Sequence, residues 1–261
     1  MTLKSTRPLL EFVATRCEKR GLIAAYFSTG ALDPENHPNW RTRPQEPIND
    51  EPMHAKIAPH TCYIFLHDTS RPTDFPTRKS TQLQRYLQLR ASKWGGIVNW
   101  TYVPESPVVE SPYSKDAETR AATVFSMLGG RLEIPRLSLE NLDEVEERLK
   151  AHLQGPLTPD TFEEAHIYVC THGARDCRCG HIGGDVVAAL EQELKKRREE
   201  DPGSLASRVT VRETAHVGGH KFAANALVFP HGEWYVILAS QFSCANDSQG
   251  LVDSRQKMLP P

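Results

Sequence analysis

Around the breaker-rich stretch Gly155-Pro-Leu-Thr-Pro-Asp160 the same order of elements runs twice, and that order limits the fold more than any other feature. Before the stretch, a β-branched and aromatic run at 61–67 predicts a buried strand. Leu83, Tyr86, Leu87 and Leu89 stand near helical spacing and predict a helix over 80–94, ended by Gly95-Gly96. A second strand follows at 97–103, then a hairpin of 121–127 and 131–134 across Gly129-Gly130, then a Glu-rich helix over 138–153 that starts on a serine cap. After the stretch come a strand at 166–170, a helix at 185–198, a strand at 207–214 and a β pair of 225–229 and 234–238. Strand–helix–strand units imply parallel pairs with the helix as crossover. The expectation is an α/β protein of two similar modules, 59–155 and 160–261, although no residue-level repeat links them.

The first 58 residues stand outside this pattern. Residues 1–36 carry Lys4, Arg7, Arg16, Lys19 and Arg20, with only Glu11 and Glu18 as acids before residue 31. Leu9, Leu10, Val13 and Cys17 share one helical side, and a Ser/Thr- and Ala-containing tract ends the segment. Basic, acid-poor and amphipathic composition is that of a mitochondrial presequence; an ordinary first helix is the competing reading. Residues 37–58, rich in Pro, Asn, Asp and His, read as an irregular arm.

Charge and hydropathy remove whole classes of function. The 31 basic and 33 acidic residues leave a net charge of −2, without the basic stripe of a nucleic-acid binder. The apolar runs, such as 232–240, fall far short of the roughly 20 residues that cross a bilayer. No phosphate loop or dinucleotide fingerprint is present, and Gly183-Gly184 lacks the required spacing.

The chemistry sits in two short segments of the second module. Cys170-Thr-His-Gly-Ala-Arg-Asp-Cys177-Arg-Cys179-Gly180 leaves the end of a predicted strand. His216-Val-Gly-Gly-His220-Lys221 follows another. Thiolate and imidazole are donors suited to zinc, copper or iron–sulfur clusters. Paired glycines let backbone approach a bulky inorganic group, and Arg175, Arg178 and Lys221 offset thiolate charge. Each segment alone has a plain explanation, as inert buried thiols or an incidental histidine pair; at equivalent strand ends of one module they form a candidate metal site. The eight residues between Cys170 and Cys179 do not match structural zinc knuckles, and the order Cys, Cys, His, His does not match the alternating boxes of Rieske proteins. On spacing alone zinc and iron–sulfur both stand.

At these residues the sequence resembles the sucrase/ferredoxin-like family of thioredoxin-like [2Fe-2S] ferredoxins. The matching segments are Val169-Cys-Thr-His-Gly with Cys179-Gly180, Asp185-Val-Val-Ala-Ala-Leu190, and His216-Val-Gly-Gly-His-Lys-Phe-Ala-Ala-Asn225. Weaker similarity covers Leu87 and Trp94-Gly-Gly-Ile-Val-Asn99. Within the family it is similar to a fungal branch named for altered inheritance of mitochondria. The resemblance implies two thioredoxin-like domains, with a [2Fe-2S] cluster in the C-terminal ferredoxin domain only. It implies Cys170, Cys179, His216 and His220 as ligands, with Cys177 an extra thiol. It further implies one-electron transfer or thiol maintenance with unidentified redox partners, in mitochondria, or in the cytosol as the alternative. A zinc-holding interaction module without redox activity is the rival reading.

Overall fold

A computed structural model describes residues 60–107, 109–111, 114–155, 164–219, 224–236 and 257–258. The expected presequence and arm lie outside the described residues. The architecture is mixed α/β. The first half runs β1 (Cys62–Asp68), α1 (Gln82–Ala91), β2 (Gly96–Tyr102), β3 (Val109–Ser111), β4 (Ser114–Ser126), β5 (Gly130–Leu137) and α2 (Leu142–Gln154). The second half runs β6 (Ala165–Cys170), α3 (Cys177–Glu200), β7 (Val209–Thr214), β8 (Asn225–Phe229) and β9 (Glu233–Val236), and the short β10 (Lys257–Met258) adds to β9.

The two halves repeat one strand order. In the first, β1 pairs parallel with β2 and antiparallel with β4, which pairs with β5. In the second, β6 pairs parallel with β7 and antiparallel with β8, which pairs with β9. The outermost parallel strands, β2 and β7, then pair antiparallel at Thr101 and Thr214, so the described strands form one mixed sheet. Pairing equivalent strands antiparallel is the arrangement of a two-fold axis between the halves. Thr101 Oγ1 donates to the Glu213 carbonyl and Thr214 Oγ1 to the Trp100 carbonyl, both at 2.8 Å.

Strand alternation sorts the side chains to two faces. Ile64 and Leu66 of β1 pack under α1 and α2 with Leu83, Leu87, Val145 and Leu149. Ile167 and Val169 of β6 pack under α3 with Val187, Leu190 and Leu194. The other faces are aromatic: Tyr63, Phe65 and Phe125 from one half meet Tyr168, Phe229 and Trp234 from the other. In a flat sheet β1 and β6 would lie three strand spacings apart, roughly 14 Å. Phe65 and Tyr168 nevertheless stack with ring centroids 3.8 Å apart. The sheet therefore bends at the β2–β7 join, and the two helix-free faces close on each other.

Three helix starts differ from the sequence expectation, each for a local reason. The α1 helix begins after Thr81, whose side chain accepts from the Gln84 N–H at 3.1 Å. The α2 helix begins four residues after Ser138, because Asn141 Oδ1 takes the Ser138 N–H at 2.8 Å and makes a turn of that stretch. The largest difference is α3, which starts at Cys177 rather than 185. The expected helix starts just after Gly183 and Gly184, but Gly183 lies inside α3 where it crosses β6: a Cβ there would stand 2.2 Å from the Cys170 carbonyl oxygen. Close approach, not a chain break, is the use of that glycine. Beyond β9, residues 237–238 of the expected strand lie outside the described residues.

Candidate metal centre

Cys170 is the last residue of β6 and Cys179 lies in the first turn of α3. Both are buried and pack together, with Val217 against them. Asp176 caps the helix, accepting from the Arg178 N–H at 3.0 Å. Its carboxylate also receives the Arg178 guanidinium through Nε at 3.0 Å and Nη2 at 2.8 Å. This buried ion pair fixes the first turn, and with it the direction of the Cys179 side chain. The N-terminus of a helix favours negative charge, which eases a thiolate within the Cys170–Cys179 pair.

The thiols are electrostatically unequal. A hydrogen bond from Cys179, with help from the His216 imidazole, holds the Cys170 thiol well below its ordinary range despite burial. Cys179 is pushed well above its range by the same bond, with burial adding to it. The pair thus favours the thiolate on Cys170 and the proton on Cys179. Cys177 is fully buried next to Ala174 and is disulfide-bonded. The free cysteines among the described residues are Cys62, Cys170 and Cys179.

The His216 loop is held from three sides. Asn225 Nδ2 donates to the Gly218 carbonyl at 2.8 Å and the Gly219 carbonyl at 3.1 Å. Those two glycines have φ of 97° and 59°, in the left-handed region that side chains disfavour. Asn99 Nδ2 reaches the Ala215 and His216 carbonyls at 3.4 and 3.3 Å from β2 of the other half. His172 accepts the His216 N–H on Nδ1 at 3.3 Å and contacts the Pro76 carbonyl through Nε2 at 2.9 Å. Those partners assign the proton to Nε2. Burial lowers the His172 pKa, and that keeps the ring neutral. Behind Cys170, Glu213 accepts from Thr171 Oγ1 at 3.0 Å and from Arg71 Nη1 at 2.6 Å, and burial raises its carboxyl.

Three of the four expected site residues thus converge: Cys170, Cys179 and His216. His220 lies outside the described residues. Among those residues no group of three or more His, Cys, Asp or Glu side chains is by itself arranged to hold a metal ion. The donor chemistry still fits a soft metal group, since a buried thiolate beside a thiol and an imidazole is a set that such groups take up. Sequence reasoning did not single out His172, Asn99, Asn225 or Glu213 as supports. Asn99 and Asn225 each closed a matched segment, which was the available signal; Glu213 carried none.

The sucrase/ferredoxin-like family model matches residues 33–253. The chain is 34% identical over 216 residues to "Altered inheritance of mitochondria protein 32" of Meyerozyma guilliermondii, an alignment covering 80% of this chain and 58% of that relative. It is 31% identical over 111 residues to the protein of the same name in Saccharomyces cerevisiae, covering 38% of this chain and 31% of the other. The chain thus spans little more than half the length of the first of these relatives and a third of the second. No solved structure matches it.

Proposed function

The chain belongs to the sucrase/ferredoxin-like family, and on that premise we propose that it is a redox carrier holding a [2Fe-2S] cluster at Cys170, Cys179, His216 and His220. The observation that carries this reading is the buried meeting of the Cys170 and Cys179 thiols with the His216 imidazole. Such a cluster supplies one-electron transfer when bound. The chain's own contribution is to hold the donors. Asp176 and Arg178 set the helix start that aims Cys179, Asn225 holds the Gly218 and Gly219 carbonyls after His216, and His172 anchors the His216 backbone.

The repeated strand order, with a parallel pair flanked by an antiparallel hairpin in each half, supports reading both halves as thioredoxin-like. The first half then serves as a packing partner: at the β1 position matching Cys170 in the shared register stands His67, and its own thiol, Cys62, is pushed by burial to about 12. The names of the relatives support a mitochondrial setting, with unidentified proteins as electron donor and acceptor.

The test is anaerobic purification of the full chain with visible spectroscopy and analysis for iron, acid-labile sulfide and zinc. The expected result is a coloured protein with iron and sulfide in equal amounts, lost in Cys170→Ser and Cys179→Ser and kept in Cys177→Ser. A colourless protein loaded with zinc would overturn the reading in favour of a structural module.

A further inference from the structure

We propose that the cleft between the β1–α1 connection and the end of β2 is a binding site for a small polyanion bearing phosphate or carboxylate groups. In α/β sheets ligands bind outside the carboxyl ends of parallel strands, and this cleft lies at the carboxyl ends of the parallel pair β1–β2. Its volume is about 710 Å³, within the span of small-molecule sites.

The lining sets the chemistry. Arg71, Arg78 and Lys79 face the cleft beside one lining carboxylate, Asp74, while Glu213 and Asp68 hold Arg71 and Lys79 from behind the lining. Hydroxyls of Ser70, Ser80 and Tyr102 add neutral hydrogen-bonding groups, while apolar lining is limited to Phe75 and Pro76. An apolar ligand therefore gains little here, and the guanidinium N–H donors that face the cleft call for a ligand rich in acceptor oxygens.

The cations are positioned rather than loose. Lys79 Nζ bonds Asp68 at 2.5 Å and lies 3.8 Å from the Phe75 ring centroid, which orders its ammonium. Arg71 stacks 4.9 Å over the Tyr102 ring and gives one nitrogen to Glu213, leaving other N–H donors on a half-exposed guanidinium. Arg78 is exposed and has no ion pair among the described residues. Guanidinium forks match the paired oxygens of phosphate and carboxylate. The proposal does not depend on a cluster at Cys170, because none of the lining residues is a candidate ligand.

The experiment is calorimetric titration of the full chain at fixed ionic strength, with inorganic pyrophosphate in one arm and citrate in the other. Saturable binding of one molecule per chain is expected in at least one arm, and the tighter arm identifies the anionic group. Arg78→Ser should weaken that binding at least about tenfold, since a charge-assisted contact is lost. The double variant Arg71→Ser/Arg78→Ser should abolish it. Lys195→Ser, an exposed charge on α3 away from the cleft, should leave it unchanged. Absence of binding in both arms at millimolar anion overturns the proposal. So does an equal loss in Lys195→Ser, which would mark the attraction as unspecific. Circular dichroism of the serine variants checks that the fold is intact.

Discussion

Replacing each glycine of the Gly183-Gly184 pair by alanine should move stability in opposite directions. Both lie inside α3, so each alanine gains roughly 1 kcal/mol of helix propensity. At Gly184 the new Cβ meets nothing within 4 Å, and the gain stands. At Gly183 it meets the Cys170 carbonyl oxygen at 2.2 Å, and a carbon–oxygen contact settles near ~3.3 Å. Helix and strand must part by about 1 Å, and the obstacle is backbone rather than a flexible side chain. Overpacking of this kind costs about 1–3 kcal/mol, and a backbone obstacle belongs at the upper end. G183A is therefore expected about 2 kcal/mol less stable than wild type and G184A up to about 1 kcal/mol more stable. Urea unfolding followed by circular dichroism reads the difference of about 3 kcal/mol directly. The same displacement separates Cys179 from Cys170, so G183A should also lose the proposed cluster while G184A keeps it. Two variants of equal stability, or a G183A that unfolds no earlier than wild type, would refute the close-approach argument.

Burial lowers His67 and His166 to about 4 from an ordinary 6.5, so the unfolded chain takes up protons in that window and the folded chain does not. Stability should be full above pH 6.5 and fall as pH drops toward 4, by up to about 3 kcal/mol for each ring, and His67→Gln should flatten the fall in urea titrations run across that range. Asn225→Ala releases the Gly218 and Gly219 carbonyls and should cost about 1–3 kcal/mol with weaker metal retention, seen by chelator challenge; an unchanged chelation rate would rule out the loop-holding role. Tyr168→Ala removes the ring stacked on Phe65 and should cost about 3–5 kcal/mol while leaving a single unfolding transition, since both halves share that face. Two separated transitions in the wild type would contradict the shared core.

Much of this architecture is legible in the sequence where a strand is buried on both faces. The runs that become β1, β6 and β8 are continuous apolar segments with breakers at their ends, and no local alternative competes. The start of α3 is not legible, because Asp176 as cap and Gly183 as contact point acquire meaning only when β6 lies against the helix. The thiols and His216 are visible as residue types with chemistry. Their supports are not, since Asn99 and Pro76 come from the other half of the chain, more than ninety positions away in sequence. Long-range partners of this kind leave no periodic trace.

The join between β2 and β7 also has a consequence for synthesis. When residue 102 leaves the ribosome, the partner strand ending at residue 214 has not been made. At roughly 5–20 residues per second the wait is on the order of ten seconds. During it the β2 edge lacks its β7 partner, and Tyr63, Phe65 and Phe125 lie on a face whose described partners, Tyr168, Phe229 and Trp234, are still to be made. An open edge beside an aromatic face is a template for association with other chains. The first half is thus a client for chaperones until the second arrives, and a messenger truncated between the halves should yield an insoluble product rather than a smaller working protein.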